Sequence, residues 1–275
     1  MTPEEISFIA DLVRRRSGVM VDIDKTYVIE TRLAPVARRE GFTTIGELVA
    51  ELQSRRDETL IWAVVEAMSS TETQFFRDRV PFDQMRDSIL PALARTRRGP
   101  ARIWSIGCST GQEPYSLAML AEEERGRHPG LQIEIEGGDL SERCLEKAHS
   151  GLYTQFEVQR GLPSRLLVKY FDKVDEAWVL APRIRQAASL KRLNLLTDIK
   201  GSGPFDVIFC RNVLSAFDEF LRRNLLEQLA GVLAEDGYLV LGLTETSAAQ
   251  SPAFRPVPGR SGLYLRDPAF QAAAA

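Results

Sequence analysis

Between Arg102 and Met119 the chain reads RIWSIGCSTGQEPYSLAM: an apolar run, a turn of small residues, and the start of a helix. Ile103, Trp104 and Ile106 predict a buried strand, and Gly107, Ser109 and Gly111 predict a turn whose backbone can lie close to a ligand. A loop built to grip phosphates would end in Lys followed by Ser or Thr, with free N–H groups at the helix start. Here Gln112, Glu113 and Pro114 occupy that place. A carboxylate there repels a pyrophosphate and attracts an ammonium or a sulfonium. Glu113 therefore favours S-adenosylmethionine, which carries both, over NAD. An acid and a proline also suit any first helical turn, so these residues read equally well as a plain helix start.

Three further groups fall where a ligand of that kind would need them. Leu131 to Gly138, LQIEIEGG, alternates as a second strand and finishes at Asp139. An acid in that position accepts hydrogen bonds from ribose hydroxyls. Its competing role is to cap the helix that starts near Glu142, and with the small-residue turn already present the ribose reading is the stronger. Phe205 to Cys210 is an almost continuous apolar run, a central parallel strand buried on both faces, and Arg211 and Asn212 stand at its carboxyl end. Residues 69–78, SSTETQFFRD, place Thr71 and Thr73 before Phe75, Phe76 and Arg77. An aromatic pair beside an arginine can cover an adenine or anchor a carboxylate through two parallel hydrogen bonds. Alternatively Phe75 and Phe76 pack between domains and Arg77 faces water.

The elements that must carry these groups divide the chain. Residues 3 to about 70 are helical in pattern. Ile6, Ile9, Leu12 and Val13 recur on one face before Ser17-Gly18, and Thr26 to Arg39 carries Val28, Leu33 and Val36. Thr44 and Glu47 make a capping box for a third helix with Leu48 and Leu52, and Asp57 caps a fourth with Leu60, Ala63, Val64 and Met68 inward. A helix over Val80–Thr96 leads into the first strand. Tyr170-Phe171, Trp178 to Leu180 and Ile184 to Ala188 predict an inserted antiparallel patch at about 168–192, and Leu193-Asn194-Leu195 ends a third strand of the main sheet. A helix over Glu219–Leu233, a strand over Tyr238–Leu243 and a final hairpin near Phe254–Pro256 and Gly262–Leu265 complete the chain. The expected organisation is α/β: an all-helical domain over 1–70, a connecting stretch over 71–80, and a sheet domain over 81–270.

Composition excludes several classes. Of 275 residues, 44% are hydrophobic and 27% charged, with a formal net charge of -3, so no overall field points to nucleic acid or membrane. Cys108, Cys144 and Cys210 lack CxxC spacing and read as reduced core thiols, so neither a metal site nor a disulfide frame is expected. No apolar run approaches the ~20 residues of a membrane span, and MTPEEISF lacks a signal pattern. A cytoplasmic protein is expected. Arg14, Arg15, Arg16, Lys25, Arg32, Arg38 and Arg39 cluster in the helical part, but acids balance them, so charge alone reads as solvated surface.

Taken together, the segments SGVMVDIDK, TRLAPVARREGF, TETQFFRD, WSIGCSTGQEPYSLAM, GDLSERCLEKAHSGLY, KYF, NLL and PFDVIFCRNV resemble the CheR-type chemotaxis receptor methyltransferases, in that order and across nearly the whole chain. The resemblance implies a class I, Rossmann-like methyltransferase domain behind the helical one. Its implied activity is methyl transfer from S-adenosylmethionine to glutamate side chains of chemoreceptors, giving methyl esters and S-adenosylhomocysteine. Carried over by position, Thr71, Thr73, Arg77 and Gly107 line the cofactor pocket and Glu113 binds the methionine portion. Asp139 holds the ribose, Asn194 and Leu195 contact the adenosyl group, and Arg211 and Asn212 close the strand-end side. Arg77 is also the implied catalytic residue, and Arg32, Arg38 and Arg39 become a docking face for an acidic receptor helix.

The chain departs from the family pattern in three places. Thr71 stands where the family usually has Asn. Ala216 stands where a tyrosine commonly precedes Phe-Asp, which implies slow transfer and keeps a cofactor-binding regulatory module as the rival reading. Residues 172–177 after KYF are short and lack the glycine of tethering members, so binding of a receptor pentapeptide is not expected.

Overall fold

The computed structural model describes residues 1–248 and 251–270 and divides into two compact units. The first comprises Met1–Ser70 with Ala216–Leu221. It holds four helices: α1 (Pro3–Ser17), α2 (Thr26–Arg39), α3 (Ile45–Ser54) and α4 (Glu58–Met68). Local chemistry sets their ends. The Thr2 hydroxyl accepts the Glu5 N–H while the Glu5 carboxylate accepts the Thr2 N–H, and Gly18 closes α1 at φ 76°. The Asp57 carboxylate accepts the N–H groups of Thr59 and Leu60 at the start of α4. At α3 the expected box is only half made: Thr44 caps Glu47, but the Glu47 carboxylate takes the Thr43 N–H at 2.8 Å. The inward faces also rotate slightly from expectation, with Ile29 buried instead of Val28, and Ile61 and Val65 instead of Ala63.

The second unit is built on a seven-stranded sheet. Val80–Gln84 (α5) leads into it, followed by a π-helical turn at Met85–Ile89 and α6 (Leu90–Thr96). Pro91 accounts for the break in the expected single helix, since it has no N–H to donate and its ring crowds the preceding turn; the Leu90 N–H reaches back to the Met85 carbonyl. The chain continues through β1 (Ala101–Ile106), α7 (Gln112–Glu124), β2 (Ile133–Asp139) and α8 (Glu142–Ser150). Next come β3 (Leu152–Thr154), α9 (Gln155–Gln159), α10 (Ser164–Tyr170), β4 (Phe171–Val174), β5 (Ala177–Leu180) and α11 (Pro182–Arg185). It closes with β6 (Ala188–Arg192), β7 (Phe205–Cys210), α12 (Glu219–Val232), β8 (Leu233–Leu241), β9 (Phe254–Pro256) and β10 (Leu263–Arg266).

The sheet order is β6-β2-β1-β7-β8-β10-β9, parallel from β6 to β8 and antiparallel beyond. All six residues of β7 are buried, and Trp104 stacks on Phe205 with ring centroids 4.8 Å apart, so β1 and β7 form the sheet's centre. The chain runs outward from β1 through β2 to β6 and then returns to the other side of β1 as β7. That reversal opens a crevice at the carboxyl ends of β1 and β7, the topological switch point where ligands of open α/β sheets lie.

The inserted sheet differs from the expected patch. It contains β3, β5 and β4, and thus begins at Leu152. Ile184–Ala188 is not a strand of it: Pro182 starts a helical turn, and Ala188 opens β6, which pairs with β2 at the edge of the main sheet. β4 and β5 are joined by two residues, Asp175 and Glu176, with Asp175 in the left-handed region at φ 52°. β8 begins earlier and ends earlier than the expected Tyr238–Leu243.

Candidate functional site

The turn after β1 is shaped by close packing. Gly107 (φ 67°) is exposed at the strand end, and a Cβ on it would lie 2.6 Å from the Val213 side chain. Gly111 (φ 91°) precedes α7, where a Cβ would lie 2.7 Å from the Tyr115 ring. Between them Ser109 is left-handed without being glycine, at φ 49°. Such a conformation needs outside support. Asp139 supplies it, since one carboxylate oxygen accepts the Ser109 N–H at 2.7 Å and the other the Ser141 N–H at 2.9 Å. The Ser109 hydroxyl donates to the Thr71 carbonyl at 2.9 Å. Asp139 is not the cap of α8, which is Ser141.

A charged cluster lies beside this turn. The Arg211 side chain is 1% exposed. It donates to Glu113 at 2.7 Å, to the Arg77 carbonyl at 2.7 Å and to Asp78 at 2.8 Å, with its guanidinium 5.6 Å from the centre of the Phe82 ring. The other Glu113 oxygen accepts the Ser105 hydroxyl at 2.8 Å. Arg211 thereby holds a segment in which Phe76, Asp78 and Arg79 all have positive φ. Phe75 and Phe76 are buried, Phe75 against Tyr153 and Phe171, so the rings pack inward. Arg77 is half-buried and donates to the Glu72 carbonyl at 3.1 Å.

The structure thus forms one hydrogen-bonded group from Asp139, Ser109 and the Thr71 carbonyl and a second from Glu113, Arg211 and the Arg77 carbonyl, with Gly107 at the end of β1. Asn212 follows Arg211 directly at φ 59°. Asn194 and Leu195 follow β6, where the Leu193 N–H bonds the Asp139 carbonyl at 2.9 Å. Thr73 is half-buried in the same segment as Arg77. Arg32, Arg38 and Arg39 belong to the helical unit: Arg32 donates to the Met68 carbonyl at the end of α4, Arg39 pairs with Glu40 at 2.8 Å, and Arg38 is exposed. Arg32 is therefore engaged in closing a helix end.

Four acids stand near the strand ends: Asp78 and Glu113 pair with Arg211, while Asp139 and the buried Glu245 accept main-chain N–H groups. Two of these acids were not assigned from the sequence. Asp78 lay inside a recognised motif, and Glu245 is a buried carboxylate just past the end of β8. Ser105, a fully buried polar residue between Trp104 and Ile106, is the signal for a buried hydrogen-bond partner. Burial first, then Asp139 and Glu113, pushes the Cys108 thiol well up; burial, Glu245 and Glu113 do the same to Cys210. Both shifts favour the protonated thiol, which is a poor nucleophile. A pyrophosphate does not suit these surroundings, whereas a ligand with an ammonium, a sulfonium and a ribose does.

Residues 71–263 match the family described as CheR methyltransferase, SAM binding domain, and residues 4–69 match its all-alpha domain. The chain belongs to the CheR methyltransferase family. It is similar to chemotaxis protein methyltransferase 1 of Pseudomonas aeruginosa, 37% identical over 85% of this chain and 86% of the relative. It is 32% identical to chemotaxis protein methyltransferase 1 of Vibrio cholerae over 90% of this chain and 91% of that one. The chemotaxis protein methyltransferase of Escherichia coli is 32% identical, over 86% and 82% respectively. The sheet domain is accordingly an S-adenosylmethionine-dependent methyltransferase domain of the Rossmann-like type. Among the described residues no helix is long and apolar enough to cross a membrane, and no group of three or more His, Cys, Asp or Glu could hold a metal ion.

Proposed function

We propose that this methyltransferase acts in the cytoplasm on the methylation region of chemoreceptors, esterifying glutamate side chains without a pentapeptide tether. The observation that carries the reading is the match to both CheR domains, in order, over residues 4–69 and 71–263. S-adenosylmethionine supplies a methyl group on a sulfonium, which a glutamate carboxylate displaces in line to leave S-adenosylhomocysteine. A glutamate side chain, with a pKa of about 4.3, is already ionised at neutral pH, so the enzyme needs no general base. Its task is alignment and exclusion of water.

In this reading Asp139 accepts the ribose hydroxyls at the carboxyl end of β2. Glu113, fixed by Arg211 and Ser105, faces the ammonium. Asn194 and Leu195 flank the adenosyl group, Asn212 with Arg211 closes the strand-end side, Gly107 lets the cofactor approach the backbone, and Thr71 and Thr73 line the remaining side. Arg77 positions the accepting carboxylate. Exposed Arg38, with Arg39, meets the acidic receptor surface.

Ala216 favours the second reading, a module that binds the cofactor with little turnover. Titration calorimetry with S-adenosylhomocysteine and NAD, followed by turnover of wild type and Ala216→Tyr on a receptor fragment, separates the two. Binding of S-adenosylhomocysteine alone, with slow turnover that the substitution raises or leaves unchanged, is expected. NAD binding without S-adenosylhomocysteine binding defeats both readings, and cofactor binding with no turnover leaves the module.

A further inference from the structure

Glu245 is 3% exposed in a short 3-10 helical turn, Leu243–Ala248, just beyond β8. One carboxylate oxygen accepts the Asn212 N–H at 2.5 Å and the Gly242 N–H at 3.2 Å, and the other accepts the Ser215 N–H at 3.2 Å. Three main-chain donors from the ends of two neighbouring strands therefore converge on one buried acid. Gly242 belongs to the same arrangement. A Cβ there would stand 2.8 Å from the Glu245 carboxylate and 3.1 Å from the Asn212 side-chain amide. Asn212 itself sits in the left-handed region at φ 59°, which asparagine adopts more readily than most residues with a Cβ.

We propose that Glu245 is a positioning residue for S-adenosylmethionine: it holds the turn from Arg211 to Ser215 in its binding conformation from behind. The inference rests on the cofactor reading given above. Arg211 begins this turn and anchors both Glu113 and the Arg77 carbonyl, and Asn212 is the residue that the cofactor reading places at the strand-end side of the site. Glutamine cannot replace the acid, because its amide offers one acceptor oxygen where two are used, and turns donors toward the remaining N–H.

The test compares S-adenosylhomocysteine affinity, measured by calorimetry on folded protein, in wild type, Glu245→Gln and Arg97→Gln. Arg97 pairs with Asp206 and Asp236, toward the amino ends of β7 and β8, so its loss lowers the melting temperature without touching the turn. Glu245→Gln is expected to weaken binding about tenfold or more, the scale of charge-assisted hydrogen bonds lost, while Arg97→Gln binds normally. In wild type the Asn212 amide proton, given to a carboxylate, should resonate far downfield and move upfield in Glu245→Gln. If Glu245→Gln does not fold, Gly242→Ala presses a methyl against the same carboxylate while keeping its charge, and the same loss of affinity is expected. Affinity within about twofold of wild type in whichever variant folds overturns the inference alone. A wild type that does not bind S-adenosylhomocysteine overturns the cofactor reading and this inference with it.

Discussion

The Arg211–Glu113 pair is the feature most open to a quantitative test. Arg211→Met keeps the bulk of the side chain but removes three charge-assisted bonds, to Glu113, Asp78 and the Arg77 carbonyl. Asp78, with a third of its side chain exposed, can turn to water. Glu113, at 12%, is left with the Ser105 hydroxyl. Leaving one member of a buried pair uncompensated costs about 3–5 kcal/mol. At ~2–4 °C per kcal/mol for a protein of this size, the ligand-free melting temperature should fall by roughly 6–20 °C. Glu113→Gln alone should cost less, since Arg211 keeps Asp78 and the Arg77 carbonyl. In the double variant the stranded charge is gone, so its loss should fall short of the summed single losses by about 1–3 kcal/mol. Urea denaturation of the four proteins without ligand measures the cycle. Additivity within about 0.5 kcal/mol would show that the two side chains do not meet in solution, and the account of how Arg77 and Glu113 are held would fail.

Other expectations follow from the same contacts. Asp139→Asn should weaken S-adenosylhomocysteine binding by ~1.5–3 kcal/mol by calorimetry, and an unchanged affinity with a lowered melting temperature would confine Asp139 to supporting Ser109. Arg38→Ala with Arg39→Ala should raise the KM for receptor and spare cofactor affinity, whereas Arg32→Ala should chiefly lower the melting temperature because Arg32 closes α4; unchanged receptor kinetics would return Arg38 and Arg39 to solvated surface. Burial pushes the Glu123 carboxyl up, but donors from Lys169, Tyr170 and Arg165 outweigh it and hold it at about 2, below the ordinary 4.5. The stabilisation is therefore full above pH 4.5 and disappears as pH falls through about 2, so Glu123→Gln should melt below wild type at neutral pH and converge with it in acid. A deficit independent of pH would contradict that ion pairing.

The elements with strong internal patterns could be read from the sequence. Phe205–Cys210 is apolar at nearly every position, and only a central parallel strand buries all of them. The Gly107–Gly111 turn was legible because packing against Val213 and Tyr115 leaves no room for side chains there. The inward face of α2 was misjudged by one position, since Val28 and Ile29 are equally apolar and only their neighbours decide which is buried. The end of β6 is legible at Leu193-Asn194-Leu195, but its body is not, because an edge strand with alternate exposed residues, ASLKR, carries too few apolar positions, and Ile184 draws the strand reading onto a turn that Pro182 makes helical. Near the turn, Glu113 is legible as an acid in the first turn of α7, but nothing in its spacing announces that Arg211, far along the chain, shares it. Glu245 was invisible for the same reason: its partners are backbone N–H groups, which every residue type provides.

The central claim is tested most directly by incubating the full chain with S-adenosylmethionine and a purified chemoreceptor methylation fragment, and quantifying base-labile methyl esters together with S-adenosylhomocysteine. The account predicts the two products in equal amounts, the ester on glutamate side chains, and neither product when those glutamates are replaced by alanine. Saturable S-adenosylmethionine binding with no ester on any cognate receptor, or methyl groups recovered on other residue types, would contradict it.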